Sequence, residues 1–401
     1  MKWSLDLHPI KSRTTLSLRT MNRYVATIGT ALILEFWAPT VWGLKVSVPE
    51  GRRLRKIVEE QYPENVYIGA STAFQNLNQG EGIILNREFS YITPTNDFKQ
   101  PLIHPEPGKW RWDFPDGWVK SAEKNGQLIR MHAPISPQCS SWAKEDSRTA
   151  EELQNNLEEY VTALCRRYNG KPVIRWLDVV NETISSDGTW FGPRTGTNGW
   201  ENPWLKIGLE KQIPSKFKIL SRDGVPHYII RAFELANLYA PDVKLIINQH
   251  AMIEPEAAEK LKELVLYLRG RGLRVDGVGW QAHLKDMEPW MDKKGSNLKV
   301  LAGLINWAHQ NHLDFLVTEN NIHVPSDSPY DAEAVATVFE NMVGTLISKR
   351  GTGVVAWNLW SISDKPHYSQ KNKWVLGLWD QDFKPQEAYY RIQHLLEKAS
   401  N

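Results

Sequence analysis

Trp176-Leu177-Asp178-Val179-Val180-Asn181-Glu182 and Phe315-Leu316-Val317-Thr318-Glu319 are two apolar, β-branched runs that each end on a glutamate. Runs that are apolar along nearly their whole length suit strands of a parallel sheet buried on both faces. Working outward, similar runs recur at residues 66–70, 88–92, 127–131, 244–248, 275–281 and 354–357, which with 174–180 and 315–318 gives eight strand candidates. Longer helical patterns stand near residues 115–125, 150–168, 226–240, 255–270, 299–311 and 332–349, with a last one near 386–398. Glu254-Pro255-Glu256 opens one of them with proline and acids in the first turn, a good helix start. Eight strands alternating with helices predict an α/β fold, a (β/α)8 TIM barrel in a single domain over residues 44–401. Barrel strands aim their C-terminal ends at one face, so the two glutamates are expected to converge across the mouth.

Composition narrows the function. Forty-eight basic against 46 acidic residues leave a formal charge of +2, too little for a chain whose main partner is nucleic acid or an anionic membrane. Cys139 and Cys165 are the two cysteines, enough for one bridge but not for a disulfide framework. Neither lies in a CxxC pair and no HExxH occurs, which argues against a dedicated zinc site. GxGxxG after a strand, GxxxxGK[ST] and GxSxG are missing too, so nucleotide cofactors and a serine-hydrolase mechanism lose their usual supports; no cofactor is expected. The excess is aromatic: 18 tryptophans and 13 tyrosines, many beside Gly, Pro and Asn in loops. Such faces either pack in the core or stack on flat, weakly polar ligands such as sugar rings. Trp190, Trp200 and Trp204 stand in the longest insertion, from Glu182 to about Val225, and are expected to line a substrate.

Lys2, Lys11, Arg13, Arg19 and Arg23 precede an apolar run from Tyr24 to Leu34, as in the n- and h-regions of an export signal. Val41-Trp42-Gly43 offers a cleavage site, so residues 1–43 are expected to be a signal or targeting segment and the protein to be secreted or periplasmic. An uncleaved membrane anchor is the rival reading, although Glu35 ends the run short of the ~20 residues that span a bilayer.

Two carboxyl groups facing each other across one cleft are what glycosidic bond cleavage needs, one as acid and one as nucleophile or base. The chain resembles glycoside hydrolase family 10, the endo-β-1,4-xylanase family, from about Gly69 to Ile392. Asp178-Val179-Val180-Asn181-Glu182 is similar to that family's acid/base motif and Val317-Thr318-Glu319 to its nucleophile motif. Gly277-Val278-Gly279-Trp280-Gln281-Ala282-His283 matches its G-x-G-x-Q-x-H strand, and Trp360-Ser361-Ile362-Ser363-Asp364-Lys365 resembles its W-G-V-T-D-K segment, followed by Ala388-Tyr389-Tyr390. Four motifs in the right order at barrel spacing are far more specific than any one.

The resemblance implies a retaining endo-β-1,4-glycanase, with xylan as the expected polymer. Glu319 would be the nucleophile and Glu182 the acid/base, their carboxyls about 5–5.5 Å apart. His283 would hydrogen-bond the nucleophile and Asn181 the sugar 2-hydroxyl; Gln281 shares the strand face of His283 by the two-residue repeat. Asn96, Lys99, His132, Trp360 and Trp374 would bind the sugar chain. Expected partners are therefore a polysaccharide or oligosaccharide alone, with no nucleic acid, no stable membrane partner and a monomeric state.

Departures from the family pattern bear on specificity. Thr95 stands where the family places a sugar-binding glutamate, Ala133-Pro134-Ile135-Ser136-Pro137-Gln138 replaces T-L-V-W-H after the histidine, and Asn320-Asn321 replaces Leu-Asp behind the nucleophile. They leave room for another β-glycan on the same machinery, or for a carbohydrate-binding barrel without catalysis. Asn181-Glu182-Thr183 also spells a glycosylation sequon, read as accidental because a glycan there would block the cleft.

Overall fold

A computed structural model describes residues 46–192, 202–327, 331–367 and 370–399. The expected export segment and Trp200 lie outside these residues. Eight parallel strands form the barrel: β1 Val66–Thr72, β2 Tyr91–Pro94, β3 Leu128–Met131, β4 Ile174–Asn181, β5 Lys244–Gln249, β6 Gly277–Trp280, β7 Asp314–Pro325 and β8 Val355–Leu359. Each pairs in parallel with the next, and β8 pairs with both β7 and β1, which closes the sheet. Helices return the chain on the outside, for example Ala150–Tyr168, Pro255–Gly270 and Ala332–Ser348. The first of these starts on a reciprocal capping box, with Thr149 and Glu152 each bonding the other's backbone N–H.

All eight strand candidates are strands, with shifted edges. The second begins at Tyr91 rather than Glu88, because Glu88 ends a helix, Gly80–Glu88, that the sequence reading left out. Its fully buried carboxylate accepts from Leu54 N (3.2 Å), Arg87 Nε (2.7 Å) and Tyr389 Oη (3.0 Å), tying the helices Leu54–Gln61 and Glu387–Lys398 together. The sixth is shorter than residues 275–281, covering Gly277–Trp280. Cys139 and Cys165 are both buried and form no disulfide, and burial pushes the Cys165 thiol up to about 12.

The barrel interior is layered because every second side chain points inward. At the bottom, Tyr91, Trp176, Ile246, Leu316 and Ala356 form an apolar plug, with Tyr67 and Leu128 packed against it. One step up, the layer turns polar: Thr93, Arg130, Asp178, Asn248, Thr318 and Asn358 are all completely buried. They bond one another, as buried polar groups usually do, with Asp178 Oδ1 the oxygen left without a partner among the described residues. Arg130 donates to Asp178, to Thr93 Oγ1 (3.2 Å) and to the Thr318 carbonyl (2.9 Å), and Thr318 Oγ1 donates to Asn248 Oδ1 (2.7 Å). Above this layer opens the mouth. Among the described residues, no helix is long and apolar enough to cross a membrane.

Candidate active site

Strict alternation would turn Asn181 and Glu319 away from the barrel axis, since Asp178 and Thr318 point inward. Each strand corrects this with one extra residue. The register of β4 on β5 slips between Asp178 and Val180, which brings Asn181 opposite Asn248, and that of β7 on β8 slips between Val317 and Asn320. Bulges of this kind re-aim side chains next to active sites. Glu182 then follows β4 with φ at 55°, a left-handed conformation that costs a non-glycine residue on the order of 1–3 kcal/mol. Its surroundings hold it there: Glu182 N donates to the Asn248 carbonyl (3.0 Å), and Thr183 N donates to Gln249 Oε1 (3.0 Å).

The two glutamates meet through a chain of amides. Asn248 Nδ2 donates to Glu319 Oε1 (2.9 Å) and to Asn181 Oδ1 (2.8 Å), while Gln281 Nε2 donates to Asn181 Oδ1 (3.3 Å) and Glu182 Oε1 (2.8 Å). On its other oxygen Glu319 meets His283 Nε2 at 3.3 Å, and His132 Nε2 lies 3.7 Å from Oε1. Gln281 and His283 both reach the carboxylates, but not along one strand face. β6 ends at Trp280, and Ala282 between them has φ at 57°. That turn, not the strand repeat, delivers His283.

The electrostatics separate the two acids. Burial pushes the Glu319 carboxyl up, yet His132 and the hydrogen bond and charge of His283 outweigh it and hold the group well below the ordinary carboxylate range. Burial pushes His283 down, but Glu319, Asn321 and Glu182 raise it above its usual value. Burial lowers His132, against the pull of Glu319 and Asp178, and Asp178 Oδ2 orients the ring from 2.8 Å off its Nδ1. Glu182 meets a neutral amide donor instead.

Around this centre, Lys99 is 5% exposed, donates to Gln138 Oε1 and lies in the field of both glutamates, with burial lowering its pKa. Trp360 stands edge-on to His132 and His283, with ring centroids 5.3 and 6.3 Å apart. Glu182, Glu319, Asn181, Gln281, His283, His132, Lys99 and Trp360 thus gather at the mouth. Two expected residues stand apart. Asn96 is exposed in the turn after β2, and Trp374 is half-buried on a short strand, Lys373–Leu376, that pairs with the outer end of β7. Of the insertion's tryptophans expected to line a substrate, Trp204 instead packs inside, completely buried and donating to the Ser136 carbonyl (3.1 Å), while Trp190 is half-buried and donates to the Gly224 carbonyl (3.0 Å). Asn248 was missed by the sequence reading, although a polar residue closing an apolar strand was its signal. Among the described residues no cluster of His, Cys, Asp and Glu could hold a metal ion.

A closed parallel barrel with two glutamates on adjoining amide supports at its mouth, one of them held ionised, defines a paired-carboxylate glycoside hydrolase. The family model for glycosyl hydrolase family 10 matches residues 56–395, and the chain belongs to that family. It is 30% identical over 349 residues to endo-1,4-beta-xylanase A of Caldicellulosiruptor saccharolyticus, covering 82% of this chain and 93% of that one. It is 28% identical to endo-1,4-beta-xylanase 1 of Gibberella zeae over 338 residues, 80% of this chain and 85% of the relative. Among solved structures, native xylanase 10B from Thermotoga maritima superposes with a TM-score of 0.71 at 25% identity, over 87% of this chain and 99% of that one. The protein is a glycoside hydrolase of the endo-xylanase-like type, in a family that works with retention of configuration.

Proposed function

We propose that the protein cleaves internal β-1,4 linkages of xylan, with Glu319 as nucleophile and Glu182 as acid/base. The unequal treatment of the two acids carries this reading: a cationic imidazole and an amide hold Glu319 as a carboxylate, while Glu182 receives one neutral amide N–H. In the first step Glu319 bonds the anomeric carbon as the bond to the leaving oxygen breaks, and Glu182 gives that oxygen its proton. In the second, Glu182 takes a proton from water, the water oxygen bonds the anomeric carbon from the other side, and Glu319 leaves as a carboxylate.

Asn181 uses its oxygen on Asn248 and Gln281, which leaves Nδ2 to donate to the sugar 2-hydroxyl. Lys99 and His132 supply further donors beside the reacting sugar, and Trp360 an aromatic wall. Asn96 and Trp374 fit contacts with sugars farther out. Names of relatives support xylan; Thr95, Ser136 and Pro137 make the glycone side this chain's own. Residues 1–43 serve export in this reading, on the strength of their charge and hydropathy pattern.

The test uses protein lacking residues 1–43 on xylan, mannan, cellulose and mixed-linkage glucan, with early products followed by chromatography and anomeric NMR. β-Anomeric xylo-oligosaccharides are expected. Products from another polymer would move the substrate and keep the chemistry. α-Anomers, or silence from folded protein on every glycan, would overturn the mechanism.

A further inference from the structure

His283 stands between two oxygen acceptors. Its Nε2 faces Glu319 Oε2 at 3.3 Å and its Nδ1 faces Asn321 Oδ1 at 2.9 Å. A neutral imidazole carries one N–H, so this arrangement fits the doubly protonated ring. The placement is built in. The short strand His283–Leu284 pairs in parallel with Asn321–Ile322, which sets His283 directly opposite Asn321. Next door, Asn320 Nδ2 donates to the Ala282 carbonyl (3.0 Å) and Asn320 Oδ1 accepts from Trp357 Nε1 (2.9 Å), fixing the positive-φ turn that carries the histidine. Asn320 is therefore locked at both ends of its amide. Asn321 is not: it is 2% exposed, yet its Nδ2 bonds no described residue.

We propose that Asn321 is a two-way positioning residue: its amide accepts from Nδ1–H when His283 is doubly protonated and, turned over, donates to bare Nδ1 when the ring is neutral. Nε2–H then stays on the nucleophile in both forms. A carboxylate at 321 could not do this, because it only accepts. The turn breaks no bond to a described residue, since Oδ1 and Nδ2 exchange places on one partner. The device has a use in the cycle that the proposed function implies, on which this inference rests. When the glycosyl ester forms, the charge on Glu319 disappears and with it a main support of the imidazolium. The ring, 27% exposed, can then lose its Nδ1 proton to solvent while still donating Nε2–H to the ester oxygen.

The other groups around His283 leave this choice to Asn321. Glu182 lies within electrostatic reach and favours the cation. His323, one step further along β7, has its ring centre 5.9 Å away; burial first, then His283 and His367, pushes it down to about 3, so it stays neutral. His132 lies across Glu319, and Trp360 presents an uncharged edge.

Long-range 15N NMR of histidine-labelled protein between pH 6 and 10 tests this, with the His283 signals assigned from His283→Phe. In the wild type the ring is expected to pass from doubly protonated to the Nε2–H tautomer. In Asn321→Asp its pKa should rise by about one unit or more. Above that pKa the variant should show Nδ1–H, and its kcat/KM should drop about tenfold below that of the wild type at the same pH, beyond the decline both share as Glu182 loses its proton, because Nε2–H is lost from Glu319. A wild-type ring that becomes Nδ1–H, or a variant with an unchanged pKa and profile, would overturn the proposal. The tautomer is read without turnover, so a protein with the expected NMR behaviour but no action on xylan would sink the proposed function and leave this inference standing.

Discussion

Glu319 and Glu182 are the same side chain in different company: an imidazole and an amide meet the first, one amide the second. Glu319 sits below its unfolded pKa, so its pairing adds stability above about pH 4.3, lost as pH falls through the lower folded value. His283 sits above its unfolded pKa, so its contribution is complete below about pH 6.5 and is lost as pH rises through the higher folded value. Both act together between those limits. His283→Phe should therefore cost most stability at about pH 5–6.5, with a smaller difference from wild type at pH 9, read by urea unfolding at the two ends; a flat difference would mean the folded ring carries no charge. Glu182 is tested by rate. Glu182→Ala should lower kcat on xylan by about 10²–10⁴-fold, the usual worth of a general acid. It should lower the first step far less on an aryl xyloside whose leaving group needs no proton, and an equal loss on both would move the acid role elsewhere.

At the scale of the element, the site is a product of strand register and of the polar layer beneath it. Gly279 on β6 shows how tight that layer is: a Cβ there would lie 2.5 Å from Asn248 Oδ1 and 2.8 Å from Thr318 Cγ2. Gly279→Ala should thus push Asn248 off Glu319, costing about 1–3 kcal/mol by overpacking and lowering kcat more than KM changes. Asn248→Ala, which makes room, should show the kinetic defect without the strain. Arg130 joins β3 to β4 and β7 from inside the barrel, and Arg130→Leu leaves Asp178 buried with His132 alone. A loss of about 3–5 kcal/mol is expected from chemical denaturation. Register is also where sequence reading reaches its limit. Eight apolar runs announced eight strands, because parallel strands buried on both faces carry their own signature. The helix Gly80–Glu88 did not, since it opens on Gly-Glu-Gly, with weak helix propensity and no cap box. Glu182, Glu319 and His283 were legible as motifs at strand ends. Asn248 and Arg130 were not, because their meaning lies in partners 71 and 48 residues away, Glu319 and Asp178, that no local pattern names.

For the whole molecule, the question is how a long excursion between Glu182 and the helix His227–Tyr239 is kept on the barrel. One buried cation does much of it. Lys260, on the helix Pro255–Gly270, is 1% exposed; its Nζ donates to the Gly188 carbonyl (2.7 Å) and to Asp223 Oδ2 (2.8 Å) and lies 4.3 Å from the centre of the Trp190 ring. It thereby clamps the two ends of the excursion to one point, while Glu263 of the same helix accepts from Ile219 N (2.9 Å) and Leu220 N (3.0 Å). A buried lysine is tolerated only with such partners, and the ring face adds to its attraction. Lys260→Met keeps most of the volume and deletes the charge, leaving the Gly188 carbonyl unpaired and Asp223 with Arg222 alone. The expected cost is about 1–3 kcal/mol, from unsatisfied acceptors. Because the barrel strands close on themselves without this contact, the loss should be local. Limited proteolysis with mass mapping should find the first cuts within residues 183–226, earlier than in wild type, while an aryl xyloside that occupies little of the cleft keeps its kcat. Cuts spread over the whole chain would mean that Lys260 supports the barrel itself, and an unchanged digestion pattern would mean that the packing of Trp204 beneath Ser136 is enough to hold the excursion.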